Sequence, residues 1–88
     1  NMKMIIAILQ DADADNVTQA LTVESFRITR IASTGGLLHR GVVTLLIGVE
    51  DIDVEKAIQV MRGKISHAAG TEKKATVFVV PVENYVQI

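Results

Sequence analysis

From Met2 to Gln10 the chain is apolar almost without a break and shows no amphipathic period, the pattern of a strand buried on both faces. Asp11 and Asp13 then offer side-chain acceptors where a helix should begin, and their charge suits the positive end of its dipole. Val17, Ala20 and Leu21 follow at helical spacing, which predicts a first helix from about Ala14 to Glu24. Ser25 to Ala32 alternates, with Phe26 and Ile28 on one face and Arg27 and Thr29 on the other, and reads as a second strand. Gly41 to Glu50 reads as a third, because Val42, Val43, Leu45, Leu46, Ile47 and Val49 leave neither face polar. Asp51 or Asp53 should cap a second helix, in which Val54, Ala57, Ile58, Met61 and Ile65 recur at i, i+3, i+4, i+7 and i+11. Ser66 to Lys73 is a polar loop containing Gly70. Ala75 to Val82 is the fourth strand, and Pro81 marks its end or an unpaired edge position.

The predicted order is β-α-β-β-α-β, an α+β ferredoxin-like fold with a four-stranded antiparallel sheet and two helices on one face. The uncovered face of such a sheet should alternate apolar and polar along each strand. The first, third and fourth strands do not alternate, so a second burying surface is required. An exposed apolar patch of several hundred Å² ordinarily marks an interface, which predicts a homo-oligomer with its sheets facing inward.

Composition narrows the picture. The 88 residues suit one domain, residues 1–88, and the apolar content of 49 % with a mean hydropathy of +0.34 is high for so small a chain. A net charge of −1 gives neither a nucleic-acid footprint nor an acidic tail. The absence of Cys excludes a disulfide framework and thiol chemistry and fits a reducing compartment. Met4 to Leu9 is too short for a signal peptide's apolar region or a membrane span, so the expected location is the cytoplasm.

The candidate chemistry lies in Phe26-Arg27-Ile28-Thr29-Arg30 and the Ser33-Thr34-Gly35-Gly36-Leu37-Leu38 stretch beyond it: a strand that ends in a hydroxyl-rich, double-glycine turn. Hydroxyls, glycine amides and a guanidinium can surround a phosphate with donors. No nucleophile, metal cluster or acid/base pair stands beside them, so the expectation is a protein that holds an anionic ligand without changing it. Arg30 and Arg40 read as surface residues, Met4 and Met61 as core fillers, and Asp11, Asp13 and Asp15 as helix-capping acids. His39 and His67 lack a second ligand at metal spacing, so no metal is expected.

Met-Lys-Met-Ile-Ile-Ala-Ile at residues 2–8, Phe26-Arg27-x-Thr29, Thr34-Gly35-Gly36, the run Ala75-Thr76-Val77-Phe78-Val79-Val80-Pro81-Val82 and the terminal Gln87 together resemble the PII-like cyclic di-AMP receptors, the PstA/DarA-like family. The resemblance implies a homotrimer of ferredoxin-like subunits that binds one cyclic dinucleotide in each cleft between neighbours, with no catalytic activity and no cofactor. Carried across by position, it places Arg27, Thr29, Thr34, Gly35, Gly36, Leu37, Leu38, Gly48, Phe78 and Gln87 around the ligand. An unidentified downstream protein would read the signal. Two positions depart from the family pattern. Leu37 stands where Phe is frequent, and Val42 where an Asn would contact an adenine. The segment between the second helix and the last strand is also shorter than the mobile loop usual in the family.

The rival readings are a PII-like or ACT-like regulatory module for another small ligand, such as a mononucleotide or amino acid, and an acylphosphatase-type enzyme on the same fold. The enzyme would need a water-orienting Asn, and Asn16 and Asn84 are poorly placed for it. Binding of RNA through the sheet is disfavoured because the central strands lack exposed aromatics and basic residues.

Overall fold

The structure, a computed structural model, describes residues 1–32, 41–66 and 73–88. Strand β1 (Met2–Gln10) leads directly into helix α1 (Asp11–Val23), followed by β2 (Arg27–Ala32), β3 (Val42–Glu50), a single 3₁₀ turn (Asp51–Asp53), α2 (Val54–Arg62) and β4 (Ala75–Pro81). The sheet order is β2-β3-β1-β4 and every pairing is antiparallel, which is the expected ferredoxin-like arrangement. Pro81 does close the edge strand β4, where its missing N–H costs no ladder bond.

Pleating sorts each central strand into two rows. Ile5, Ala7 and Leu9 of β1 and Val43, Leu45, Ile47 and Val49 of β3 face the helices and meet Ala14, Val17 and Leu21 of α1 and Ala57 and Met61 of α2. Each of these is at most 4 % exposed, so this layer is the core of the domain. Ile65 lies beyond the end of α2 yet still packs against the core, held by its N–H donating to the carbonyl of Met61 at 3.1 Å.

The opposite row is apolar too. Met4, Ile6, Ile8 and Leu46 are only half-buried, and Ile31, Phe78 and Val80 are exposed. Met4 is therefore not a core filler, because its parity places it on the face away from the helices, whereas Met61 is. The pairing register lays this face out in rows across all four strands: Arg27–Gly48–Met4–Val80, then Thr29–Leu46–Ile6–Phe78. Strands predicted to be buried on both faces are thus buried on one and half-open on the other within a single chain.

Helix α1 starts at Asp11, earlier than the spacing of its apolar residues predicts, and no side chain caps it. Gln10 occupies the capping position in an extended conformation, and the N–H of Asp11 donates instead to the carbonyl of Gly41 at 2.7 Å. Asp11 and Asp13 lie inside the first helical turn, so their carboxylates turn outward to other elements while still favouring the dipole. The helix ends in a Schellman motif. Ser25, at φ 69°, donates its N–H to the carbonyl of Thr22 at 2.9 Å, and Phe26 donates to that of Leu21 at 3.0 Å. Helix α2 likewise has no side-chain cap from Asp53, since the 3₁₀ turn already leads the backbone in.

Candidate functional site

Alternation along β2 decides which of its side chains can meet a ligand. Ile28 sits opposite the buried Ile47, which turns Arg27 and Thr29 to the open face, where both are exposed. Arg27 pairs across the ladder with Gly48. A Cβ placed on Gly48 would meet nothing within 4 Å, so the sheet beside the guanidinium is unroofed. Arg27 and Gly48 share a cleft of about 410 Å³ with Met2, Ser25, Phe26 and Lys56. Glu24, Glu50 and Asp53 also reach it, and Lys56 pairs with Glu24 at 3.0 Å, which leaves Arg27 as the cation free of a salt bridge in that cleft among the described residues. Thr29, two residues further along the same face, lies opposite Leu46 and sets a hydroxyl beside that apolar side chain.

Thr34, Gly35, Gly36, Leu37 and Leu38 lie outside the described residues, as do His39, Arg40 and His67. The described backbone on the far side of the double-glycine stretch begins at Gly41, whose φ of +87° is easy only for glycine and whose carbonyl takes the bond from Asp11. Phe78 is 52 % exposed on β4 and is not part of the core. It shares a face and a register row with Thr29, but the two stand on opposite edge strands, three interstrand steps or about 14 Å apart. Gln87 is exposed in the segment beyond β4, outside any helix or strand. The chain therefore brings Arg27, Thr29 and Gly48 together and holds Phe78 away from them.

Arg30 is exposed, as expected, but it is not free. Its parity in β2 points it to the helix side, where it donates to Asp15 Oδ1 at 2.7 Å and Asp11 Oδ1 at 3.2 Å. The hydrogen bond to Asp15, with the charges of Asp15 and Asp11, raises the guanidinium above its ordinary value against an opposing effect of desolvation. Asp13, buried at 6 % exposure, accepts from the N–H of Ser66 at 3.3 Å and from its Oγ at 3.0 Å. The three acids tie α1 to β2 and to the turn after α2, in place of the capping role expected. The signal for Arg30 was present in the sequence, since it shares parity with Phe26 and Ile28. The partner of Asp13 was not, because Ser66 is 53 residues away.

Val42, where an adenine-reading Asn was expected by resemblance, opens β3 on the uncovered face directly across from Gln10. Gln10 is exposed and carries the donor–acceptor amide that Val42 lacks. Among the described residues no three His, Cys, Asp or Glu side chains gather as a metal site, and no helix is long and apolar enough to cross a membrane.

A crystal structure of a functionally unknown protein from Pediococcus pentosaceus ATCC 25745 is similar in fold and sequence. The two superpose with a TM-score of 0.80 at 29 % identity, over 99 % of this chain and 97 % of that one. Residues 2–71 match the cyclic-di-AMP receptor family, a span running from β1 through α2 that includes Arg27, Thr29, the Thr34-Gly35-Gly36 stretch and Gly48. Cyclic di-AMP as ligand fits that family, and with the match extending over most of its length the chain belongs to the cyclic-di-AMP receptor family.

Proposed function

We propose that this protein is a non-enzymatic signalling protein that binds cyclic di-AMP in clefts shared between subunits of a homotrimer. The observation that carries the reading is the division of its ligand-directed residues between opposite edges of one sheet. Arg27, Thr29 and Gly48 lie at the β2 side and Phe78 on β4, all on the same apolar face. A ligand that touches both groups is served best where the β2 edge of one copy meets the β4 edge of the next. Such a contact is heterologous, and repeated by rotation it closes into a ring. The ring also covers the half-buried Met4, Ile6, Ile8 and Leu46, which a lone chain leaves in water.

The residue types suit the ligand's two phosphodiesters and two adenines. In this reading Arg27 pairs with a phosphate or lies along a purine, and Thr29 adds a hydroxyl. The amides of Thr34, Gly35 and Gly36 approach a phosphate closely because glycine has no Cβ. Leu37, Leu38 and Phe78 supply apolar surface for an adenine, and Gln87 reads its edge. Gln10 stands in for the amide absent at Val42. None of these groups acts as nucleophile or general base, so the protein binds its ligand and passes the signal to a protein partner in the cytoplasm.

Isothermal titration tests the reading. Cyclic di-AMP should bind and ATP should not compete, while Arg27→Ala and Thr29→Ala should each weaken binding about tenfold or more, the loss typical of a charge-assisted contact, without changing the oligomer. Heat with ATP or an amino acid but none with cyclic di-AMP would transfer the site to the rival regulatory module. Sedimentation of the unliganded protein should give three copies, and a monomer at micromolar concentration would remove the cleft.

A further inference from the structure

Around this site, several tertiary bonds meet at the first turn of α1. Asp11 is bound twice. Its N–H donates to the Gly41 carbonyl at 2.7 Å, and its Oδ1 accepts from Arg30 at 3.2 Å, with Asp15 Oδ1 holding the other arm of the same guanidinium at 2.7 Å. Arg30 lies on β2 before residues 33–40 and Gly41 follows them, so one residue grips the chain on both sides of the double-glycine stretch. Two positions on, Asp13 holds Ser66, the last described residue before the connection to β4, through both its N–H and its hydroxyl.

These bonds neither cap the helix nor lie on the face of Arg27. The carboxylates do not cap their own helix, and Arg30 points away from the face that carries Arg27, so it cannot itself touch a ligand there. Its guanidinium is engaged by two carboxylates on α1, a fork geometry that fixes direction more firmly than a single ammonium contact would.

We propose that Asp11, Asp13, Asp15 and Arg30 are positioning residues for cyclic di-AMP binding, which hold the ends of β2 and β3 and the turn after α2 in the spacing that the ligand needs. The inference rests on the reading of Arg27 and Thr29 as ligand contacts. It assigns the acidic turn a role in pre-organisation: strand ends held in place before the ligand arrives need not be ordered when it binds. Coupling of this kind, through residues that never touch ligand, changes affinity by a modest factor and does not abolish it.

The test is titration of cyclic di-AMP into the full chain and into Arg30→Ala, Arg30→Lys and Asp13→Ala, with thermal melting and amide hydrogen exchange on each. Arg30→Ala and Asp13→Ala should bind about three- to tenfold more weakly while keeping the oligomer, and Arg30→Lys should recover part of the loss. In Arg30→Ala the amides of Ile31, Ala32, Val42 and Val43 should exchange faster, with no change at Ile5 and Ile6 in the middle of the sheet. A folded Arg30→Ala that binds as tightly as the unsubstituted protein overturns the proposal, even if Asp13→Ala proves too unstable to measure. If the unsubstituted protein itself gives no heat with cyclic di-AMP, the ligand reading has failed instead. The exchange at the four amides then decides the anchoring alone, and unchanged rates there would overturn that as well.

Discussion

Arg27 and Arg30 lie three residues apart on one strand and have opposite fates. Arg27 stands on the open face beside an unroofed glycine, and Arg30 is clamped to α1 by Asp11 and Asp15. Strand parity alone separates them, since a strand turns successive side chains to opposite faces. At the same scale Ser25 closes α1 in the left-handed region at φ 69°, where an L side chain is disfavoured and glycine is not. Ser25→Gly should therefore raise stability by about 0.5–1 kcal/mol in urea unfolding without touching the ligand, and a loss of stability would show that the Ser side chain makes a contact worth more than the strain. The converse holds at Gly41, with φ at +87° and its carbonyl already bonded to Asp11. There is open space for a Cβ, yet Gly41→Ala should cost about 1–2 kcal/mol through the backbone alone. If Gly41→Ala leaves the unfolding midpoint unchanged, the strained geometry at that position is wrong.

The elements differ in how far their own residues define them. The apolar stripe of α2 was plain from its spacing, and Ala57 and Met61 are buried where that spacing puts them. Met61→Ala should cost about 2–5 kcal/mol, because the sheet beneath it cannot collapse into the cavity. Leu46→Ala, on the half-open face, should cost the isolated fold much less and show its effect in assembly. Comparing the two melting curves with sedimentation of each variant checks the distinction. Helix α1 was harder to place. Its apolar positions begin at Ala14, but the helix begins at Asp11, where the carbonyl of Gly41, just before β3, takes the first free N–H. A bond from so distant a residue leaves no local trace in the chain.

For the whole molecule the decisive feature is the second apolar face. Rows such as Thr29–Leu46–Ile6–Phe78 put two central apolar side chains between edge residues that belong to different halves of the proposed cleft. Ile6→Asp should leave the chain folded and dissociate the proposed trimer, because a buried, unpaired carboxylate costs several kcal/mol at an interface and little in water. It should abolish cyclic di-AMP binding along with the oligomer. Binding at full affinity by a monomeric Ile6→Asp would place the whole site within one chain.

Hydrophobic period and strand parity were sufficient for the element order, the ferredoxin-like class, the apolar second face and the exposure of Arg27 and Thr29, because each depends on residues close together along the chain. The family resemblance could also be read there, and the match over residues 2–71 agrees with it. Tertiary structure alone decided what lies far apart in sequence and near in space. Asp13 meets Ser66, Asp11 meets both Arg30 and Gly41, Gln10 faces Val42, and Phe78 lies across the sheet from Thr29. Local spacing specifies which way a side chain points, and only the closed fold specifies what it finds there.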